Sequence, residues 1–251
     1  MIREIRLMFM RKLHDTRRNP VLILRGLVSP ILYLVCFAPL LQGLNIGQEG
    51  LRDHVLTYFI PGMLILTVFT GGLYVGFSTV GELRTGIIER FRVTPISRFA
   101  ILFGMILENT FVMLASALVL VIIGIPFGFR FDPLGMFLIF ILLILLVSAA
   151  AYFSHAIAFI TKREDKIAPL IHVVHTPLTL LSGMMLSMDL APPWLKIIAH
   201  CNPLYYLVKA SRHLVVGCFT DPSIYYAFLF MIPITLLMMW WSTKVFNKVI
   251  L

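Results

Sequence analysis

Apolar residues gather along this chain into six long runs separated by short polar segments. The runs cover about residues 21–42, 55–80, 99–124, 134–160, 167–188 and 224–247. A helix of about 20 apolar residues crosses the roughly 30 Å of hydrocarbon in a bilayer. The runs are continuously apolar, and lipid requires the backbone groups of each segment to bond within that segment. The pattern therefore predicts an all-α integral membrane protein with six transmembrane helices.

Composition supports the same class. Hydrophobic residues make up 59% and charged residues 13% of the 251 residues, and the mean hydropathy is +0.94. A soluble domain is nearer half apolar. The spans leave no room for a separate soluble domain, so we predict one transmembrane domain over residues 1–251.

Small residues in the second span predict close helix packing there: Gly62, Gly71, Gly72 and Gly76.

Residues 1–20 predict an amphipathic helix that lies in the headgroup layer before the first span. One face of this helix is apolar, and the basic residues lie mostly on its other sides. The apolar face has helical spacing and consists of Ile2, Ile5, Phe9 and Leu13. A basic leader that serves only as a topology signal is the alternative.

Basic residues are distributed unevenly between the segments that flank the spans. Sixteen of the 21 lysines and arginines lie in residues 1–25, 84–98, 162–166 and 244–248, and the other five lie in the alternate segments. Because cytoplasmic loops carry an excess of lysine and arginine, both termini are predicted to be cytoplasmic. Topology and anionic lipid account for the net charge of +9, so no nucleic-acid partner is expected.

A charged segment, residues 82–93, then falls in the first cytoplasmic loop. It has an apolar stripe at helical spacing that includes Leu83, Ile87 and Phe91. Thr94-Pro95 ends the helix, since a residue before proline avoids the α region, and Ser97 is placed to cap the next span. A solvated interfacial helix is one interpretation, and a helix that docks a cytoplasmic partner is the other. The mixed charges favour a protein partner, because attraction to lipid would need no glutamates.

The segment between the fifth and sixth spans predicts two short helices over residues 192–217. Pro192-Pro193 and Asn202-Pro203 would open them, since proline is favoured in a first turn. Residues 203–216 are too short to cross the membrane and carry Lys209 and Arg212. We predict re-entrant or interfacial helices at the outer mouth, and an ordinary surface loop is the alternative.

Other polar residues have open interpretations. Glu108 and Asn109 fall inside the third span, and an intramembrane carboxylate is a candidate for the transport pathway, although it could instead pair with a neighbouring helix. Three histidines lack the spacing of a metal or relay site and are interpreted as helix-packing residues: His155, His172 and His175. Cys201 and Cys218 either pair or remain free thiols, with free thiols favoured. No catalytic arrangement is recognisable.

Two blocks of sequence resemble a known family. "GELRTGIIERFRVTPISR" (81–98) is similar to the first cytoplasmic loop of the type-2 ABC exporter permeases. "LSGMMLSMDLAPPWLKIIAHCNPLYYLVKASR" (181–212) resembles the stretch after the fifth span in the drug-efflux and nodulation-factor branches of that family. Its "MMLSMDL" departs from many relatives, which leaves the turn before Ala191 open.

The resemblance implies a permease subunit that forms a homodimer, or a heterodimer with a related permease, above two ABC ATPase subunits. The chain has no phosphate-binding G-x-x-x-x-G-K-[ST] loop, so it is not expected to be an enzyme or to bind a cofactor, and ATP and Mg would lie on the ATPase. By resemblance, residues 82–93 form a coupling helix that enters the ATPase; its candidate coupling residues are Glu82, Arg84, Ile87, Glu89, Arg90, Phe91 and Arg92. The outer re-entrant helix would present Pro203, Tyr205, Tyr206 and Arg212.

The function expected from this resemblance is export of an amphipathic or hydrophobic substrate, drug-like or lipid-like, across the cytoplasmic membrane of a prokaryote. Export of a lipid-linked glycan is the alternative within the family. An ion-coupled secondary carrier would need no ATPase and often has inverted repeats, which are not recognisable here. A membrane-embedded enzyme is disfavoured because no ligand constellation is present.

Overall fold

The computed structural model of the chain describes residues 2–18, 52–86, 97–184 and 191–250, together with positions 28, 32 and 188. The predicted first span therefore lies outside the described residues. Five of the predicted coupling residues do as well: Ile87, Glu89, Arg90, Phe91 and Arg92.

The described residues are mainly α-helical, with a short 3-10 helix at Ile125–Phe127 and no β-strand among them. This confirms the all-α prediction for the part of the chain that is described. In chain order the helices are α1 (Ile2–Arg18), α2 (Arg52–Arg84), α3 (Arg98–Gly124), α4 (Pro133–Thr161), α5 (Glu164–Leu180), α6 (Pro193–His200), α7 (Pro203–Val215) and α8 (Pro222–Ile250).

Four segments of the described chain are long and apolar enough to cross a membrane. They are Thr57–Arg84, Phe99–Phe127, Pro133–Thr161 and Pro222–Lys248, and they match the predicted second, third, fourth and sixth spans. The fifth span was predicted over 167–188, but α5 ends at Leu180 after 17 residues. The chain turns away because Gly183 adopts a left-handed φ of 75°, a conformation that glycine adopts without a steric penalty.

Local signals explain where several helices begin. Ser97 Oγ accepts a hydrogen bond from the Ala100 amide at 3.3 Å, which confirms the predicted cap of α3. Asp132 Oδ2 accepts from the Gly135 amide at 2.8 Å and caps α4 in the same way.

Helices α2 and α4 pack closely, and glycine makes that approach possible. A Cβ added at Gly72 would lie 2.8 Å from Ala150 Cβ, and one at Gly76 would lie 2.5 Å from Ser154 Oγ. The Gly76 amide also donates to Ser154 Oγ at 2.9 Å. The predicted role of the small residues in the second span is confirmed at these positions.

Because successive helices alternate in direction, the bundle has two ends. At the "α1 end", Lys12 of α1 contacts the last turn of α2, and Glu4 of α1 contacts the residue that precedes α3. At the "α7 end", α7 meets the first turns of α2, the last turn of α5 and the start of α4.

The N-terminal helix forms as predicted, and it packs along α3. A Cβ at Gly104 would lie 2.6 Å from Met8 Cβ, and the Phe9 and Phe111 rings meet edge to face with centroids 5.9 Å apart. Leu7 and Met10 remain exposed. The headgroup position of α1 stays a prediction.

Candidate coupling and pathway sites

A partly buried ion pair joins α1 to the last turn of α2. Lys12 Nζ donates a hydrogen bond to Glu82 Oε1, and the two side chains are only 15% and 18% exposed. Removing one partner of a partly buried pair leaves a charge that is only partly hydrated without compensation. This contact therefore fixes α1 against the end of α2, which directly precedes the first loop.

The same helix contacts the other flank of that loop. Glu4 Oε2 accepts a hydrogen bond from the Ser97 amide at 3.0 Å, and this bond is the main cause of the lowered pKa of Glu4. Glu4 and Lys12 lie eight residues apart in α1, or about 12 Å at 1.5 Å per residue. α1 thus bridges the two ends of the first loop.

A second pair of charges links α2 to the turn between α4 and α5. Arg84 Nη1 lies 3.5 Å from Glu164 Oε1, with both side chains about half exposed. In the same turn, Arg163 donates two hydrogen bonds to Asp165, at 3.0 and 2.8 Å, which hold the pKa of Asp165 below its ordinary value. Ion pairs at the α1 end therefore join three helices, α1, α2 and the start of α5.

The predicted coupling residues are only partly placed. Glu82 and Arg84 belong to the last turn of α2, and the chain then turns at Thr85-Gly86, where Gly86 has a φ of 69°. The helix that contains Glu82 thus ends at Arg84. A coupling helix formed by the residues that follow stays a prediction.

Glu108 and Asn109 are enclosed in α3. Both side chains are buried, and within the described part of the chain Asn109 Nδ2 and Thr110 Oγ1 have no hydrogen-bond partner. The pathway role of Glu108 and Asn109 stays a prediction.

Two of the three histidines pack as predicted. His155 is buried, with Nδ1 2.7 Å from Thr79 Oγ1, and His175 Nε2 lies 3.0 Å from Thr70 Oγ1. His172 differs, because it is exposed on α5, with its ring nitrogens 3.3 and 3.4 Å from the Tyr74 hydroxyl.

His172 belongs to a group of rings on the open side of α2 and α5, which we call the ring patch: Tyr74, Phe77, His172 and His175. Tyr74 stacks on Phe77 with centroids 5.6 Å apart and meets both histidines edge to face. The surrounding face of α5 is also exposed, including Leu170 and Val173. The sequence offered one signal for the patch, the i, i+3 spacing of the histidines, but their contact with Tyr74 requires the pairing of α2 with α5.

At the α7 end, Arg212 connects three elements. Its Nε donates to the Tyr58 carbonyl at 3.2 Å, and its Nη2 donates to the Gly183 and Met184 carbonyls at 2.7 and 3.4 Å. The guanidinium also lies over the Tyr58 ring. These bonds join α7 to the start of α2 and to the turn after α5.

Asn202 makes a second junction at the same end. Its Oδ1 accepts from the Leu204 amide at 3.0 Å and caps α7, and its Nδ2 donates to the Leu178 carbonyl of α5 at 2.8 Å. Pro203 occupies the first turn of α7. Asn202 and Pro203, which belong to the second sequence block, therefore start α7, and Asn202 also holds it against α5.

Tyr205 and Tyr206 lie in a chain of rings that reaches α8. Their centroids are 5.4 Å apart, and Tyr206 lies 5.2 Å from Phe230 and 5.7 Å from Tyr226. Cys201 and Cys218 are both free and exposed.

Comparison with known proteins places this arrangement among transport permeases. A family model described as ABC-2 type transporter matches residues 3–216. The chain is 27% identical over 215 residues to a protein of Cyanophora paradoxa that carries the name transport permease ycf38. The matched region covers 85% of this chain and 74% of that protein. It is 24% identical over 200 residues to the daunorubicin resistance ABC transporter permease protein DrrB1 of Streptomyces coeruleorubidus. That match covers 79% of this chain and 70% of DrrB1. It is 27% identical over 199 residues to the inner membrane transport permease YadH of Escherichia coli K12. That match covers 76% of this chain and 75% of YadH. The matched residues include both ends of the bundle.

Proposed function

We propose, because this chain belongs to the ABC-2 type transporter family, that it is the membrane-spanning permease subunit of an ATP-driven exporter. The observation that carries the proposal is the arrangement at the α1 end, where Glu4 and Lys12 of one amphipathic helix hold both flanks of the first loop. A loop held at both ends transmits a displacement to the helices on either side. This is what a partner that hydrolyses ATP requires of a permease.

The partner in this proposal is an ABC ATPase subunit that binds ATP and Mg. It docks on the first cytoplasmic loop through a coupling helix that includes Glu89, Arg90 and Arg92. The chain has no glycine-rich phosphate loop of its own, which agrees with a division between transport and hydrolysis. Ion pairs from α2 to α1 and to α5 would pass the motion of the loop to the spans.

We further propose six spans, with both termini in the cytoplasm and α6–α7 as a re-entrant pair at the outer mouth. Two contacts support the re-entrant path. Tyr206 near the start of α7 meets Phe230, while His213 near its end meets Ser223 at 3.4 Å. Phe230 lies about 12 Å further along α8 than its first residue, so the start of α7 lies deeper in the bundle than its end.

The ring patch is the part of the structure that best suits a pathway for an amphipathic substrate. An imidazole exposed to lipid at this depth would be costly, so we infer that His172 faces a second permease subunit, identical or related, across the pathway. Stacked rings with phenol and imidazole groups suit a flat apolar molecule that carries hydrogen-bonding groups. One relative is named for daunorubicin resistance, which agrees with this substrate class. We place the subunit in the cytoplasmic membrane of a prokaryote.

Reconstitution tests the proposal. The permease and its ATPase subunit, together in vesicles, are expected to move a fluorescent cationic amphiphile only when ATP is present, and to hydrolyse ATP faster when it is added. Glycolipids added in parallel test the glycan alternative. Transport driven by an ion gradient without the ATPase would overturn the proposal in favour of a secondary carrier.

A further inference from the structure

The turn between α7 and α8 brings together an imidazole, a carboxylate and a hydroxyl group. His213 lies in the last turn of α7, and its Nδ1 is 3.3 Å from Asp221 Oδ2 and 3.4 Å from Ser223 Oγ. The His213 and Asp221 side chains are 36% and 25% exposed, so protons from the aqueous phase reach both. The contact joins two helices that are separated by a turn at Gly217, which has a φ of 81°.

The start of α8 fixes the Asp221 carboxylate in place. Asp221 Oδ1 accepts a hydrogen bond from the Ser223 amide at 2.8 Å, and the Asp221 carbonyl accepts from the Ile224 amide at 3.2 Å. Burial raises the pKa of Asp221, but the hydrogen bonds from Ser223 and the charges of His213 and Lys209 outweigh it, so that this pKa lies below its ordinary value. Asp221 is therefore ionised between pH 5 and 8. Histidine is the side chain that changes charge in this range.

Other titratable and charged groups around the end of α7 are Lys209, Arg212, Asp132 and Cys218. Asp132, at the start of α4, accepts from the Gly135 amide. Arg212 donates to carbonyl groups of α2 and of the turn after α5. The Cys218 amide donates to the His213 carbonyl at 3.0 Å, and His200 of α6 contacts the opposite end of α7. Within the described chain, Asp221 is the carboxylate in direct contact with the His213 ring.

We propose that His213 and Asp221 form a proton-dependent clasp between α7 and α8. The clasp is closed when the His213 ring is protonated, because an imidazolium and a carboxylate then attract each other. It loosens when the ring is neutral. The attraction is present at low pH and is lost as the pH rises through the range in which histidine titrates. The ligand of this site is the proton of the aqueous phase at the α7 end.

The clasp acts on a helix that is connected to much of the bundle. The Val215 carbonyl, at the end of α7, accepts from the Asp132 amide at 2.9 Å, which ties the same turn to the start of α4. Arg212, next to His213, joins α7 to the turn after α5. A proton on His213 therefore strengthens the hold on α7. In the proposed exporter, and this consequence alone rests on that function, acidity at the α7 end slows the opening of the pathway there.

A double-mutant cycle at two pH values tests the clasp. Unfolding of the purified full-length chain in detergent is measured for the wild type, His213→Gln, Asp221→Asn and the double variant. Asn at position 221 keeps an oxygen that accepts from the Ser223 amide, so the start of α8 is retained. At pH 5.5 the two substitutions are expected to be coupled by about two- to fivefold in the unfolding equilibrium constant, the range for a partly exposed ion pair. At pH 8.5 the coupling factor is expected to approach one.

A matched cycle gives the control. His200→Gln replaces an exposed histidine at the opposite end of α7 and should show no coupling to Asp221→Asn at either pH. Equal coupling of His213 and Asp221 at both pH values would mean that a neutral hydrogen bond joins them. No coupling at either pH would mean that the contact does not hold α7. Either result overturns the proposal.

Reconstituted vesicles test the consequence for transport. ATP added only outside is used by complexes whose ATPase faces outward, so their α7 end faces the lumen. With the outside pH constant, hydrolysis stimulated by a cationic amphiphile is expected to be about two- to fivefold lower at a lumen pH of 5.5 than at 8.0. His213→Gln should remove this difference. Equal hydrolysis by the wild type at both lumen pH values would overturn the consequence. No stimulated hydrolysis at all would count against the exporter, whereas the unfolding cycle, which needs no ATPase, decides the clasp by itself.

Discussion

Arg212 and Tyr58 are 154 residues apart in the chain, yet the Arg212 guanidinium carbon lies 3.6 Å from the centre of the Tyr58 ring. The same side chain donates a hydrogen bond to the Tyr58 carbonyl at 3.2 Å. Arg212 therefore holds α7 to the first turns of α2 by ring stacking and by hydrogen bonding at once. Arginine can make both contacts because its guanidinium is a planar group with several donors.

The first prediction concerns this arginine. Arg212→Lys keeps the charge but loses the planar fork, so it should lower the free energy of unfolding by about 1.5–3 kcal/mol, the contribution of a hydrogen bond to a charged group. The measurement is the thermal midpoint of the purified chain in detergent. Lys209→Arg, at an exposed position of the same helix, is the control and should leave the midpoint unchanged. Equal midpoints for Arg212→Lys and the wild type would contradict the role given to Arg212.

A second prediction compares two glycines of α2. At Gly76 a Cβ would lie 2.5 Å from Ser154 Oγ and 2.7 Å from the Ser154 carbonyl oxygen, whereas at Gly81 it would meet nothing within 4 Å. Gly76→Ala should therefore destabilise the chain by about 1–3 kcal/mol through overpacking. Gly81→Ala should be neutral or stabilising, because alanine favours helix. Unfolding in denaturant measures both, and equal effects would show that α2 and α4 do not approach as closely as described.

The partly buried pair of Lys12 and Glu82 gives a third prediction. Lys12→Met leaves the partly buried Glu82 carboxylate without its partner and should cost about 1–3 kcal/mol. The exchange Lys12→Glu/Glu82→Lys restores opposite charges and should recover much of that loss. ATP hydrolysis by the assembled complex is measured alongside thermal stability. An exchange variant no more stable than Lys12→Met would mean that the pair does not hold α1 to α2.

The ring patch yields a prediction about substrate. His172→Leu removes a hydrogen-bonding group from the exposed face of α5 and should raise the concentration of a cationic amphiphile needed for half-maximal ATPase stimulation about fivefold, since one hydrogen bond contributes about 1 kcal/mol. His200→Leu, at an exposed histidine outside the patch, should not change it. If the two variants behave alike, the patch does not line the pathway.

Much of the bundle follows from patterns that are local in sequence. Long apolar runs located four spans, and the cap at Ser97 followed from a single side chain before an apolar run. The end of the fifth span was predicted wrongly because residues 181–188 are apolar enough to continue a helix. A left-handed turn at Gly183 accompanies the earlier end of α5 and is a local signal that the apolar run obscured. The approach of the Met184 carbonyl to Gly62 depends on tertiary structure.

The sites were less accessible to sequence reasoning for the same reason. Glu82 was a candidate from its position in the first loop, but its partner Lys12 lies 70 residues away, and no local spacing connects them. His172 was interpreted as a packing residue, whereas its exposure depends on which side of α5 the neighbouring helices cover. Asn202 was expected only to start a helix, and its bond to Leu178 requires that α7 return beside α5.

The central claim is that a separate ATPase drives this permease through the first cytoplasmic loop. The measurement is recovery of the ATPase subunit by affinity-tagged permease from membranes with matched permease levels, for the wild type, Glu89→Lys and Arg92→Glu. ATP hydrolysis stimulated by a cationic amphiphile is followed on the same samples. We predict that both variants insert normally but recover less ATPase and lose stimulation, because a like charge at an interface costs more than a lost exposed pair. Equal recovery and equal stimulation in all three would contradict the claim and favour the alternative, a solvated interfacial segment that docks no ATPase.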